Sequence, residues 1–155
     1  GGPSQPTAMV AQQARELGFE GGFIIMDQAK LDEMKAVTGS YDILEGSIGV
    51  MPLVDSSSPG TDAFVEKYRA EHDIDPGSEA GLHYIAMYTF VEAMKAAGTV
   101  SDPQAIMENM QAGLDNLPED KKVYVIPGIS DKGAFESDVE VAAIEDGEVI
   151  AIPID

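Results

Sequence analysis

The chain has 155 residues, with 28 acidic against nine basic side chains, a formal net charge of −19 and an apolar share of 44%. That length allows one domain or parts of two, the apolar share excludes a disordered chain, and the charge excludes nucleic acid and anionic lipid as partners. There is no cysteine, so disulfides, thiolate catalysis and cysteine zinc sites are excluded, and no apolar run approaches the roughly 18 residues of a membrane span.

The chain opens on Gly-Gly-Pro-Ser-Gln-Pro-Thr and runs directly into a helix ending at Leu17, with Pro6 in the first turn and Gly18 as its stop. Val10, Ala14 and Leu17 recur at helical spacing and are its predicted buried stripe. A Gly-rich opening of this kind is the join of a strand and a helix, where a ligand can approach backbone N–H groups. The strand that should come first is missing, so the chain is expected to be a piece of a larger α/β protein.

Phe23-Ile24-Ile25-Met26 is a short continuous apolar run, predicted to be a parallel strand buried on both faces and ending at Asp27-Gln28. A short helix follows, with Leu31, Met34 and Val37 inward and Gly39 after it; Gly46 to Leu53 then reads as another strand. Asp55-Ser-Ser-Ser-Pro-Gly60 is a linker by composition. Three helices in succession come next. The first runs from Thr61 to His72, with Phe64 and Tyr68 four apart. The second runs from a capping Ser78 to Ala97, with Leu82, Ile85, Ala86, Thr89 and Ala93 along one face. The third opens on a Ser101-Asp-Pro-Gln104 capping box and buries Ile106, Met110 and Leu114. Val123 to Ile126 reads as a strand. Asp146-Gly147 between two apolar runs predicts a β-hairpin. Three helices without intervening strands do not fit one compact parallel-sheet domain, so two lobes built from discontinuous segments are expected.

Few residues carry chemistry. No Walker or G-x-G-x-x-G motif is present, so the opening loop reads as a small-ligand loop or an ordinary turn rather than a nucleotide loop. Asp27 and Gln28 lie just past the carboxyl end of a strand, where open α/β sheets bind ligands, and a carboxylate there suits an ammonium group; Asp27 also suits the cap of the following helix. His72 and His83 have no partner at metal spacing, and Asp73 and Asp75 begin a calcium-loop pattern that fails after Gly77, so no metal is expected. Ser56, Ser57 and Ser58 lack any nucleophile context and read as linker.

The order of segments resembles the second half of the type I periplasmic binding proteins, the branched-chain amino acid or amide receptors of ABC importers. The resemblance rests on the Gly-Gly-Pro-Ser-Gln-Pro opening, Ala14-Arg-Glu-Leu-Gly18, Phe23-Ile-Ile25, Glu45 to Val50, Phe64-Val-Glu-Lys-Tyr68 ahead of Pro76, the helix from Tyr84 to Gly98, Phe135 and Asp146-Gly147. It implies an α/β fold of two Rossmann-like lobes, here incomplete. Residues 1–54 would be second-lobe βα units, 55–131 a first-lobe helical segment and crossover, and 132–155 a second-lobe C-terminal hairpin. It implies ligand-binding roles for Pro3, Ser4, Asp27 and Gln28, with the acidic residue meeting the ligand's ammonium. The half that usually grips an amino acid's carboxylate would precede Gly1, so binding by this chain alone is expected to be weak.

The implied function is that of an extracytoplasmic, leucine-binding-like solute receptor. It would close over an amino acid, amide or related metabolite and deliver it to an ABC permease, without a cofactor and without catalysis. The alternative is a ligand-sensing domain of the same fold in a signalling receptor. The location would be periplasmic or extracellular, held at the membrane through the transporter or an anchor outside this chain. Pro3 departs from the leucine-type receptors, which often offer an aromatic ring there, and so points towards a polar amino acid, an amide or a small carboxylate. Sheet edges and apolar faces left open by the missing strands are expected either to be covered by self-association or to mark a piece released by proteolysis of an intact protein.

Overall fold

The computed structural model describes residues 1–26, 28–56, 58–136 and 139–153. It divides into two compact units, one formed by Gly1–Asp55 with Val139–Asp155 and the other by Ser56–Asp138.

In the first unit, helix α1 (Ser4–Glu16) and helix α2 (Leu31–Thr38) pack on one face of a small sheet. Strand β1 (Ile48–Val50) pairs antiparallel with a late strand, Val141–Glu145, which in turn pairs antiparallel with Glu148–Ile152. The 23–26 segment lies parallel to β1 through a single bridge, Ile24 to Ile48; the Ile25 N–H donates to the Ile48 carbonyl at 2.8 Å, and the Ile48 N–H to the Phe23 carbonyl at 2.9 Å. Alternation then sorts the side chains. Ile25, Ala142 and Ile144 point towards the helices and join Ala8, Ala11, Leu31, Met34, Leu44 and Met51 in the core. Ile24, Met26, Ile48, Val50 and Ile150 share the opposite face and are 70%, 56%, 37%, 40% and 41% exposed. The 23–26 run is therefore buried on one face only, against the two predicted from its composition.

The stripe predicted for α1 is also displaced. Val10 and Leu17 are exposed, and the buried positions are Ser4, Ala8 and Ala11. The period is the expected 3.6, but the phase is set by close packing of α1 on α2, which favours small side chains at the contact. In α2, Leu31 and Met34 are buried as expected while Val37 is exposed; Gly39 ends the helix in the left-handed region, φ 87°. The Asp146-Gly147 hairpin forms as predicted. Both turn residues have positive φ, 53° and 75°, as a type I′ turn requires. Glu45 clamps this turn by accepting the Asp146 N–H at 3.0 Å and the Gly147 N–H at 3.1 Å.

The second unit is largely helical: α3 (Thr61–His72), α4 (Ser78–Ala97), α5 (Pro103–Glu108) and α6 (Met110–Asp115). The α3 and α4 spans match the sequence reading, because Asp73 and Gly98 stop them in the left-handed region. Three details differ. Gly77 caps α4, with Ser78 inside the helix, and the buried face runs through Gly81, Ile85, Thr89 and Ala93 rather than Leu82. Asp102, not Ser101, caps α5, its carboxylate accepting the Gln104 and Ala105 N–H groups; Pro103 then fills the first helical position. The third predicted helix is broken at Asn109, whose side-chain amide donates back to the Ala105 carbonyl at 2.9 Å. Gly113 lets α6 touch α4, since a Cβ there would sit 2.5 Å from the Thr89 carbonyl oxygen.

Val123 to Ile126, predicted as a strand, makes no ladder among the described residues. Its carbonyl at Val123 instead accepts the Thr61 hydroxyl at 3.0 Å, holding buried Val123 beside α3. Strands β2 (Gly128–Ile129) and β3 (Phe135–Glu136) form a two-residue hairpin in this unit. Residues 132–136, which the sequence reading joined to the C-terminal hairpin, thus belong with the helices, because β3 pairs only with β2 among the described strands. Strands β4 (Val141–Glu145) and β5 (Glu148–Ile152) complete the first unit.

Candidate functional site

The opening of the chain and the turn before α2 meet in the first unit. Pro3 caps α1 with φ −55° and ψ 143°, its ring exposed and its carbonyl accepting the Thr7 N–H at 3.2 Å and the Thr7 hydroxyl at 2.8 Å. Pro3 makes no side-chain cap bond to the α1 N-terminus, and no acidic residue lies in the helix's own first turn. Gly1 lies against the 23–26 segment; a Cβ there would be 3.6 Å from the Met26 carbonyl oxygen.

Ser4 is 6% exposed and its hydroxyl is fully engaged. It accepts the Lys30 N–H at 3.0 Å, and its single proton faces both the Glu33 carboxylate at 2.6 Å and the Gln28 carbonyl at 3.0 Å. Lys30 is the N-cap of α2 and Glu33 its third helical residue. In a capping box, the third-residue carboxylate reaches the N-cap N–H directly. Here the hydroxyl of Ser4, 26 residues from Lys30 in sequence, is inserted between them. One serine thereby ties together the N-terminal ends of two helices, both of which favour negative charge.

Of the four residues singled out in the sequence, the structure brings Pro3, Ser4 and Gln28 to one place; Asp27 lies outside the described residues, as does Ser57 of the linker. Gln28 is exposed and contributes its carbonyl to the Ser4 contact. Lys30 and Glu33 belong to the same cluster and carried no sequence signal. The capping-box spacing from Lys30 to Glu33 lacks the Ser, Thr, Asp or Asn that marks such a box, because the serine comes from α1. Elsewhere in this unit, burial and the carboxylates of Asp55 and Asp32 push the Tyr41 phenol far above its ordinary range, so it stays neutral at physiological pH.

The second unit holds an open cavity of about 370 Å³ lined by Phe64, Tyr68, His83, Tyr84, Met87 and Tyr88. Its rings meet in tilted contacts, with Phe64 and Tyr84 centroids 4.7 Å apart and Tyr84 and Tyr88 4.8 Å apart, and the Lys121 ammonium lies 5.2 Å from the Tyr88 ring centre. The His72 ring meets that of Tyr68 in a tilted contact, centroids 4.5 Å apart. Among the described residues no three or more histidine, aspartate or glutamate side chains converge as a metal site would require, and no helix is long and apolar enough to cross a membrane.

No curated protein sequence matches the chain at a significant level. Solved structures do. The leucine binding protein LivK of Thermotoga maritima superimposes with a TM-score of 0.74 at 25% identity, over 98% of this chain and 42% of that one. A substrate-binding periplasmic protein of Ralstonia solanacearum gives 0.72 at 19% identity, over 97% of this chain and 44% of that one. An ABC transporter substrate-binding protein of Desulfitobacterium hafniense gives 0.53 at 19% identity, over 98% and 49%. The chain thus spans less than half the length of these structures, and its α/β fold is theirs in part. A family model described as periplasmic binding protein matches residues 1–148, and the chain belongs to that family.

Proposed function

We propose that the chain contributes one wall of an extracytoplasmic solute receptor that holds a small, amino-acid-like ligand and hands it to an ABC importer. The observation that carries this reading is the convergence of the α1 and α2 N-termini at Ser4, beside Gln28 and the lip at Gly1–Pro3. Two helix N-termini suit a carboxylate or an amide oxygen, and the Asp27 position suits an ammonium. Pro3 offers no aromatic ring for an aliphatic side chain to stack on, which favours a polar ligand. Binding and release would need no covalent step. Closure would follow from a higher affinity of the closed arrangement for the ligand.

Titration of the ¹⁵N-labelled chain with L-glutamine, L-glutamate and L-leucine tests the reading at millimolar affinity. The amides of Gln5 and Lys30 are expected to shift, more with glutamine or glutamate than with leucine. If none of the three moves either amide, the chain is not a solute-binding wall of this kind.

The exposed sheet face of Ile24, Met26, Ile48, Val50 and Ile150 supports a second part of the proposal, self-association of the chain. Sedimentation is expected to show dimers or larger species at micromolar concentration, reduced by Ile24→Lys. A concentration-independent monomer would refute it.

A further inference from the structure

We propose that Glu33 is a positioning residue for this ligand site, acting through Ser4; the inference rests on the solute-binding reading above. The Glu33 carboxylate accepts the Ser4 hydroxyl proton at 2.6 Å, and the Ser4 oxygen accepts the N–H of Lys30 at 3.0 Å. With its proton directed to Glu33, the Ser4 oxygen presents lone pairs to the Lys30 amide and is polarised as an acceptor, so the two bonds strengthen each other. Ser4 is the first residue of α1 and Lys30 the N-cap of α2, and the Gln28 carbonyl, two residues ahead of Lys30, lies 3.0 Å from the same hydroxyl oxygen as its second, longer acceptor. Residues 28–30 are therefore pinned to the start of α1, and Gly1 lies against Met26. A ligand that contacts both the start of α1 and residues 28–30 therefore meets a geometry that Glu33 helps to set through Ser4.

This assigns a role to a surface carboxylate that helix patterning treats as ordinary first-turn charge on α2. A favourable charge at a helix N-terminus would be served by any carboxylate in that turn, and Asp32 is already there. What Glu33 adds is a charged side-chain acceptor 2.6 Å from the Ser4 hydroxyl, closer than the Gln28 carbonyl at 3.0 Å. The distinction is testable, because glutamine keeps an acceptor oxygen at that point and loses the charge.

The experiment compares the unsubstituted chain with Glu33→Ala and Glu33→Gln by amide hydrogen exchange, thermal melting and titration with L-glutamine. Glu33→Ala is expected to speed exchange at the Lys30 amide about tenfold and to weaken glutamine binding by about the same factor. Exchange in the α4 core of the other unit should not change. Glu33→Gln is expected to restore most of both effects. Unchanged Lys30 exchange in Glu33→Ala overturns the proposal, and so does equal impairment by Ala and Gln, which would make the charge rather than the acceptor decisive. If the unsubstituted chain binds no glutamine, the solute-binding reading is what fails, and the Lys30 exchange rate still decides whether Glu33 holds the turn.

Discussion

Gly22→Ala is expected to be the most damaging single methyl group that can be added to the first unit. A Cβ at Gly22 would lie 1.9 Å from the Gly46 carbonyl oxygen and 2.7 Å from its carbon. Both are backbone atoms, so no side-chain rotation relieves the clash. The neighbouring bonds leave little room for a shift of either segment: the Phe23 N–H donates to the Ser47 hydroxyl at 3.0 Å, and the Gly46 N–H to the Ile144 carbonyl at 2.9 Å. Relief therefore means breaking the start of the 23–26 segment away from β1, at an expected cost of about 4 kcal/mol. Gly39→Ala is the control. It sits at φ 87° with no atom near the new Cβ, so it introduces backbone strain without collision and should cost about 1 kcal/mol. Urea melts of the two variants check the difference; similar midpoints would show that the Gly22–Gly46 approach is looser than the structure has it.

The contrast between these two glycines also marks what was legible in the sequence. Gly39, Gly98 and the Asp146-Gly147 turn are local devices. Each is read from its own neighbours, and each forms where the pattern puts it. The closeness of Gly22 to Gly46 depends on two distant segments meeting and leaves no local trace. The same division runs through the helices. The limits of α3 and α4 follow from stop residues, but the buried face of α1 follows from what it packs on, so Val10 and Leu17 proved exposed while Ala8 and Ala11 are buried. The capping-box pattern put the start of α5 at Ser101, and the cap is instead Asp102, whose carboxylate reaches Gln104 and Ala105. In the candidate site, Pro3, Ser4 and Gln28 were legible through the strand-to-helix join and the family resemblance. Lys30 and Glu33 were not, because their capping box borrows its hydroxyl from another helix.

Arg15→Ala is expected to lower the stability of the first unit by about 3 kcal/mol. Arg15 spends its guanidinium on four backbone carbonyls: Nε donates to Ile43 at 3.0 Å, Nη1 to Phe19 at 2.8 Å and Gly21 at 2.7 Å, and Nη2 to Glu45 at 2.9 Å. The same group lies 4.9 Å from the centre of the Phe23 ring and 5.7 Å from that of Phe19. It joins the last turn of α1 to the entry of the 23–26 segment and to the turn before β1. Glu45 in turn holds the β4–β5 hairpin through its carboxylate, so one arginine and one glutamate connect most of the unit's loops at this end. Several of the four carbonyls are near solvent and can recover water when the side chain is lost, which is why the expected cost is well below four full charged hydrogen bonds. Arg15→Lys should recover less than half of it, because a single ammonium cannot fork to four carbonyls on two segments or stack flat on a ring. Equal stability of Arg15→Lys and the unsubstituted chain in urea melts would mean that charge alone suffices and the forked geometry does not. The Lys30 amide supplies a second readout. Arg15 anchors the C-terminal end of the helix whose N-terminal end carries the ligand lip, so faster exchange at Lys30 in Arg15→Ala would show that the lip is held from both ends of α1.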